Sequence, residues 1–314
     1  MIDAGFVVMV LQAVMMILIA PLFAGIIGKF RALLQGRPGA GILQPYRDLR
    51  KLFRKGKVSG NNHSWLFSAV PYLCLASMIV LAFMVPFIYT HVLSPFGDLI
   101  TLVYLFTLFR FAMVLGGLEG GSVFGGMGSS REMMMSVLIE PALLRSIMSL
   151  SMLSGVTTYM SDIPVAIMSM GFGAFGPTLI LAATSFMITL MAENARVPFD
   201  NPATHLELTM VHEAMILEYS GRKLGMMELS SQIRLVLFMA MLGTMFFPWG
   251  IATDLTVMSL IISIVSIFVK MLVISFAIAV IESLTAKYRL FKTPNLLIIS
   301  FTFSLLAMIS IYIL

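Results

Sequence analysis

Five carboxylates fall between residues 193 and 218: Glu193, Asp200, Glu207, Glu213 and Glu218. Glu132 and Glu140 stand eight residues apart in a mostly apolar stretch, and Arg145 follows five residues later. Buried acids of this kind suit proton uptake and release, because desolvation raises a carboxyl pKa while a nearby cation lowers it. Glu140, Glu282, Arg110, Arg145 and Lys270 all lie inside or at the end of apolar runs. A charge at the bilayer centre costs at least about 2.5–3.5 kcal/mol. These two acids and three bases therefore imply mutual pairing or a hydrated interior path. Arg145 and Lys270 are the candidate partners of Glu140, whereas Glu282 and Arg110 also admit snorkelling to the interface.

The elements that must position these groups are membrane helices. Charged residues make up 11% of the 314 and apolar ones 59%, with a mean hydropathy of +1.00; a soluble domain carries about a quarter charged residues. The fold class is an all-α integral membrane protein, because the apolar runs are too long and continuous for an outer-membrane barrel. About eight transmembrane helices are expected, over residues 6–27, 65–89, 99–118, 133–153, 175–192, 235–249, 255–281 and 295–314. The fifth and sixth are the shortest. Asp3 and the lack of a basic segment before the first span argue for a retained helix, not a cleaved signal.

Seventeen of the 20 Lys and Arg residues fall in alternate loops: nine at residues 29–57, then Arg131, then Arg196, Arg222, Lys223 and Arg234, then Lys287, Arg289 and Lys292. The intervening loops have none. The odd loops are thus expected in the cytoplasm of an inner-membrane, multi-pass protein with both termini outside. The organisation expected is one polytopic membrane domain, residues 1–314. It carries a cytoplasmic amphipathic loop at 29–63 and a cytoplasmic acidic docking loop at 193–234. In the first loop, Leu49, Leu52 and Phe53 share a helical face ringed by Arg47, Arg50, Lys51, Arg54 and Lys55, the pattern of an amphipathic helix on the membrane surface; the net charge of +5 is topogenic and no nucleic-acid partner is implied.

Several motifs fail on inspection. The stretch from Gly116 to Glu132 is Gly-rich, but no strand precedes it and it lacks GKS/T, so close backbone packing is the better reading. His212-Glu213 begins like a zinc-protease helix, but Ile216 stands where the second histidine belongs. His205 and His212 read as hydrogen-bonding partners more than as metal ligands. The single cysteine, Cys74, cannot ligate an iron–sulfur cluster, and four scattered histidines do not make a haem pair. No cofactor or metal is expected in this chain.

Three blocks carry a resemblance: RALLQGRPGAGILQPYRDLRKL, SREMMMSVLIEP, and ENARVPFD followed by EYSG. Together they resemble the complex I subunit 1 family, the membrane subunit beneath a peripheral redox arm. Quinone-reducing members typically place a Pro-Glu-Ala-Glu-x-Glu run after PFD; here Pro202-Ala203-Thr204-His205-Leu206-Glu207 keeps only the last acid. This departure puts a quinone headgroup site in doubt. ATHLELTMVHEAMILEYSG and QPYRDL are similar to the membrane subunits of group 4 energy-converting [NiFe]-hydrogenases, formate hydrogenlyase and hydrogenase-4.

The resemblance implies a membrane anchor coupling a peripheral hydrogenase to proton or sodium movement, with no catalysis of its own. The [NiFe] centre and iron–sulfur clusters would belong to peripheral large and small subunits, and antiporter-like membrane subunits would lie alongside. The ion route implied runs through Glu132, Glu140, Glu193, Glu207, Glu213 and Glu218, with Arg145, Lys270 and Glu282 as candidate partners. Arg37, Arg47, Asp48, Arg131, Arg196, Asp200, His205 and His212 would hold loop structure and docking. A quinone-chamber subunit of a complex I-type oxidoreductase and a stand-alone ion transporter are the alternatives.

Overall fold

The computed structural model describes residues 4–56, 58, 64–90, 97–155, 158–171, 176–200 and 210–313. In chain order the helices are α1 (Ala4–Leu34), α2 (Gln44–Arg54), α3 (Trp65–Met84), α4 (Leu99–Glu119), α5 (Val123–Leu153), α6 (Asp162–Ser169), α7 (Pro177–Glu193), α8 (His212–Ile216), α9 (Gly221–Met241), α10 (Val257–Leu284) and α11 (Thr293–Ile313). Seven helical stretches are long and apolar enough to cross a bilayer, and α7, at 17 residues, is the shorter eighth. Among the described residues the only bridges between extended segments are two isolated ones, Tyr89 with Ala252 and Asp98 with Tyr159.

The chain starts its spans where local chemistry permits. Ser64, Ser122 and Thr256 accept hydrogen bonds from the backbone N–H groups of Leu66, Gly125 and Ser259, so α3, α5 and α10 begin on capped ends. Two spans begin earlier than hydropathy suggests. Helix α5 starts at Val123, ten residues before the expected 133, and absorbs most of the Gly-rich stretch. A methyl at Gly128 would lie 2.8 Å from the Val211 carbonyl, so the missing side chain lets α5 touch the segment that leads into α8.

Helix α9 starts at Gly221, not 235, and runs into a π-helical turn at Leu242–Phe246. The expected loop at 193–234 is therefore shorter: Glu193 closes α7 and Arg234 is buried within α9. Charges had disguised this helix. Lys223 donates to Ser68 Oγ at 2.7 Å, and the Arg234 guanidinium stacks 4.7 Å from the Phe109 ring centroid. Helix α9 packs against α1, α2, α3, α7 and α10. In its spanning window 83% of residues are buried, against 22% for the peripheral α11, so α9 is the centre of the bundle.

The connections sort onto two faces. On one, Val58 N–H donates to Ser220 Oγ, Tyr288 N–H to the Pro198 carbonyl, and Arg131 Nη1 to the Met210 carbonyl. These bonds join the α2–α3, α10–α11 and α4–α5 ends to the α7–α9 segment. On the other, Thr90 N–H donates to Ala252 O, Leu99 N–H to Thr158 O, and Met160 N–H to Gly97 O. All the basic loops thus share one face. The amphipathic helix α2 lies there as the sequence predicts, but its apolar side is partly occupied by protein: Leu49 is buried, and Leu52 and Phe53 pack on Gly225 of α9.

Candidate functional site

Arg110 of α4 is the hub. It is 3% exposed, in the interior of a span where nothing polar flanks it. Its Nε lies 3.2 Å from Glu132, its Nη1 3.3 Å from Glu140, and its Nη2 against Glu193. Glu132 and Glu140 are about 12 Å apart along α5, so one guanidinium reaches both by extending between them, while the end of α7 supplies Glu193. The planar fork of five N–H donors makes this threefold contact available to arginine and not to lysine. Arg234 approaches from α9 as a second cation.

These contacts correct the expected pairing. Glu140 meets neither Arg145 nor Lys270. Five residues along a helix is a turn of about 140° beyond a full revolution, so Arg145 faces α11, where its guanidinium lies 4.0 Å from the Phe301 ring centroid. Lys270 donates from Nζ to the Phe247 carbonyl at 2.5 Å, just beyond the π-helical turn, where the helical hydrogen-bond ladder ends. Arg110 and Glu282 do not snorkel. Glu282 is buried between Arg31 of α1 at 3.4 Å and Arg196 at 3.2 Å.

A second node follows directly in the chain. Asp200 accepts from the backbone N–H groups of Val211 and His212, at 3.1 and 3.3 Å, and from Lys287 Nζ at 2.6 Å. One carboxylate thus fixes the entrance to α8 and ties it to the α10–α11 connection. Burial and the Arg234 charge push His212 down to about 3, so it is neutral at pH 7. The segment after α7, with α1, α8 and α9, encloses a polar cavity of about 170 Å³, lined among others by Asn194, Arg196, His212, Glu213, Glu228 and Gln232.

The remaining expected residues separate. Glu218 is exposed, as are Arg37, which donates to Gln35, and Asp48, which accepts from Gln44 Nε2 at 2.9 Å. Arg47 is exposed on α2. His205 and Glu207 lie outside the described residues. Among the described residues no three His, Cys, Asp or Glu side chains form a metal-binding group. The linking role of Arg110, the burial of Arg234, and the cavity residues Asn194, Glu228 and Gln232 are not evident from spacing along the chain. A single arginine midway through LITLVYLFTLFRFAMVLGG was the available signal for the first.

Glu213 titrates in an informative range. Burial, and then the charges of Glu228 and Asp200, push its carboxyl up from 4.5 to about 7. The unfolded chain ionises this group first as pH rises, so the folded state loses stability between about pH 4.5 and 7, on the order of 3 kcal/mol. A carboxylic C=O infrared band should disappear between pH 6 and 8 and be absent in Glu213→Gln. A band in the wild type that persists unchanged above pH 8 would assign the signal elsewhere.

Helices of membrane-spanning length around a buried glutamate–arginine cluster define a polytopic membrane protein with a charged interior site. The family model for NADH dehydrogenase matches residues 6–313, and the chain belongs to that family, in its complex I subunit 1-like class. It is 34% identical over 300 residues to hydrogenase-4 component C of Escherichia coli (strain K12), covering 94% of this chain and 92% of that one. It is 33% identical over 302 residues to formate hydrogenlyase subunit 4 of the same organism, covering 96% and 97%. The fold matches a chain of the membrane-bound sulfane sulfur reductase, an archaeal respiratory membrane complex, with a TM-score of 0.77 and 22% identity over 95% of this chain and 99% of that one.

Proposed function

We propose that this chain is the membrane anchor and ion-coupling subunit of a group 4 [NiFe]-hydrogenase complex of the formate hydrogenlyase or hydrogenase-4 type. The two Escherichia coli relatives, each matched along nearly its whole length, support the kind of complex. The observation that carries the coupling role is continuity: Glu140, Arg110, Glu132 and Glu193 form one ion-paired cluster, and the next seven residues lead from it to Asp200. Redox change in a docked peripheral arm alters the field at Asp200, Glu213 and His212. The hydrogen-bonded segment 193–200 transmits that change to the buried cluster.

In this reading the [NiFe] centre and iron–sulfur clusters belong to peripheral large and small subunits, and antiporter-like subunits receive the ion. The basic loops face the cytoplasm and both termini lie outside. The route uses Glu132, Glu140, Glu193 and Glu213, with Glu207 and Glu282 alongside. Arg145 and Lys270 act separately from it. The face carrying Arg131, Arg196, Asp200, His212 and Leu217 meets the peripheral arm.

Cross-linking tests this directly. A photoreactive side chain at position 217, which is exposed, should trap a hydrogenase-like soluble subunit in the intact complex. Products confined to lipid or to this chain itself would remove the anchoring role, and trapping of a protein from the opposite side of the membrane would overturn the orientation.

A further inference from the structure

The cavity between α1, α8, α9 and the segment after α7 holds an unmet demand for positive charge. Asn194, 8% exposed, donates from Nδ2 to the Leu190 carbonyl at 2.8 Å, and its Oδ1 is buried with no hydrogen-bond partner. Gln232 Oε1, from α9, is also buried and unpartnered. Both side chains line the cavity, together with Glu213, Glu228 and Ser231. A buried amide oxygen without a partner is costly to the fold, so the cavity is built for an occupant that oxygen atoms can bind.

Charge narrows the choice. Neither Glu213 nor Glu228 has an ion-pair partner among the described residues. Arg196 also lines the cavity, but it and Arg31 share Glu282, which leaves one positive charge between them. His212 is neutral. With both free carboxylates ionised, the lining side chains together with Arg31 and Glu282 carry one net negative charge; just beyond them Asp200 is offset by Lys287, and Arg234 beside His212 and Asp48 beside Glu228 add one charge of each sign. Water would satisfy the amides but not that charge, and a divalent ion would overcompensate it. Carboxylate, amide and hydroxyl oxygens are the ligands of hard cations, and in membrane transporters carbonyl oxygens serve sodium. A volume of about 170 Å³ admits such an ion with several waters of roughly 30 Å³ each.

We propose that this cavity is a sodium-binding site, with Asn194 Oδ1, Gln232 Oε1 and the carboxylates of Glu213 and Glu228 as its protein ligands. The site deepens the ion-coupling reading by naming an ion, and rests on that reading only for what the bound ion does next. Sodium and a proton compete here, because binding requires both carboxylates to be ionised.

Equilibrium dialysis of the purified complex against radioactive sodium, at constant ionic strength with choline chloride, tests the site. One saturable sodium per chain is expected, with at least tenfold selectivity over potassium. Gln232→Met, similar in shape but without the oxygen, should weaken binding at least tenfold, and Gln232→Glu should retain it. Asn194→Leu should repeat the loss, and complex yield checks that each variant assembles. Binding that Gln232→Met and Asn194→Leu both leave unchanged, or that potassium equals, would overturn the proposal and leave a water-filled cavity. Loss of the sodium site while ion translocation still depends on Glu140 would leave the coupling role intact with the proton as the ion, so the two readings fail separately.

Discussion

Replacing Arg110 by Met is expected to abolish accumulation of the assembled complex. The substitution fits the space but leaves Glu132 and Glu193 buried together, with Glu140 beside them and no guanidinium between. Breaking a buried ion pair from one side costs about 3–5 kcal/mol, and here three carboxylates lose the same partner. Arg110→Lys keeps the charge but lacks the fork that spans both ends of the α5 pair, so an intermediate yield is expected. The decisive variant is compensating: Arg110→Met with Glu193→Gln removes one charge of each sign and should recover part of the yield lost in Arg110→Met. Complex yield and thermal stability in detergent measure all three, and no recovery in the double variant would mean that Arg110 acts through packing alone.

The second large effect is expected at Asp200. Its carboxylate takes two backbone N–H groups, one from the buried Val211, and the Lys287 ammonium. Asp200→Ala removes the acceptor of both N–H donors and an ion-pair partner of Lys287, at about 1–3 kcal/mol for each neutral donor. The bundle itself does not depend on this residue, so the chain should still insert. The α7–α9 segment should instead become open to protease, and peripheral subunits should fail to co-purify. Asp200→Asn keeps an acceptor for the N–H groups and should lose much less. Co-purification at the wild-type level in Asp200→Ala would show that the arm docks elsewhere.

Much of this architecture was legible in the sequence because the bilayer imposes one long period. Runs of about 20 apolar residues, with most Lys and Arg in alternate loops and the helix ends beside them, place the eight helices and group the loops into two faces. Errors arose where tertiary contact overrode hydropathy. Lys223, Glu228 and Arg234 depress the apolar signal of α9, yet they are tolerated because Ser68, the cavity and Phe109 receive them. The acids of the site were visible by type, but their partners were not. Pairing between α4, α5 and α7 depends on helix rotation and crossing, which residue spacing along a single helix does not encode. Glu140 therefore drew the nearby Arg145 as a partner when the actual one stands 30 residues earlier in sequence.

Whether the Arg110 cluster carries ions or only stability is decided at Glu140. It is the most accessible of the three acids, with its side chain 34% exposed against 10% for Glu132 and 3% for Glu193. It borders an apolar groove of about 420 Å³ between α4 and α5. Glu140→Gln is nearly isosteric, cannot ionise, and leaves Glu132 and Glu193 to hold Arg110. The direct measurement compares this variant with wild type in inverted membrane vesicles, following hydrogen evolution from a soluble electron mediator and ion uptake together. An assembled complex that evolves hydrogen normally while ion uptake falls at least tenfold is expected. Unchanged uptake at unchanged hydrogen evolution would contradict an ion-carrying role and leave Glu140 as a structural counter-charge to Arg110.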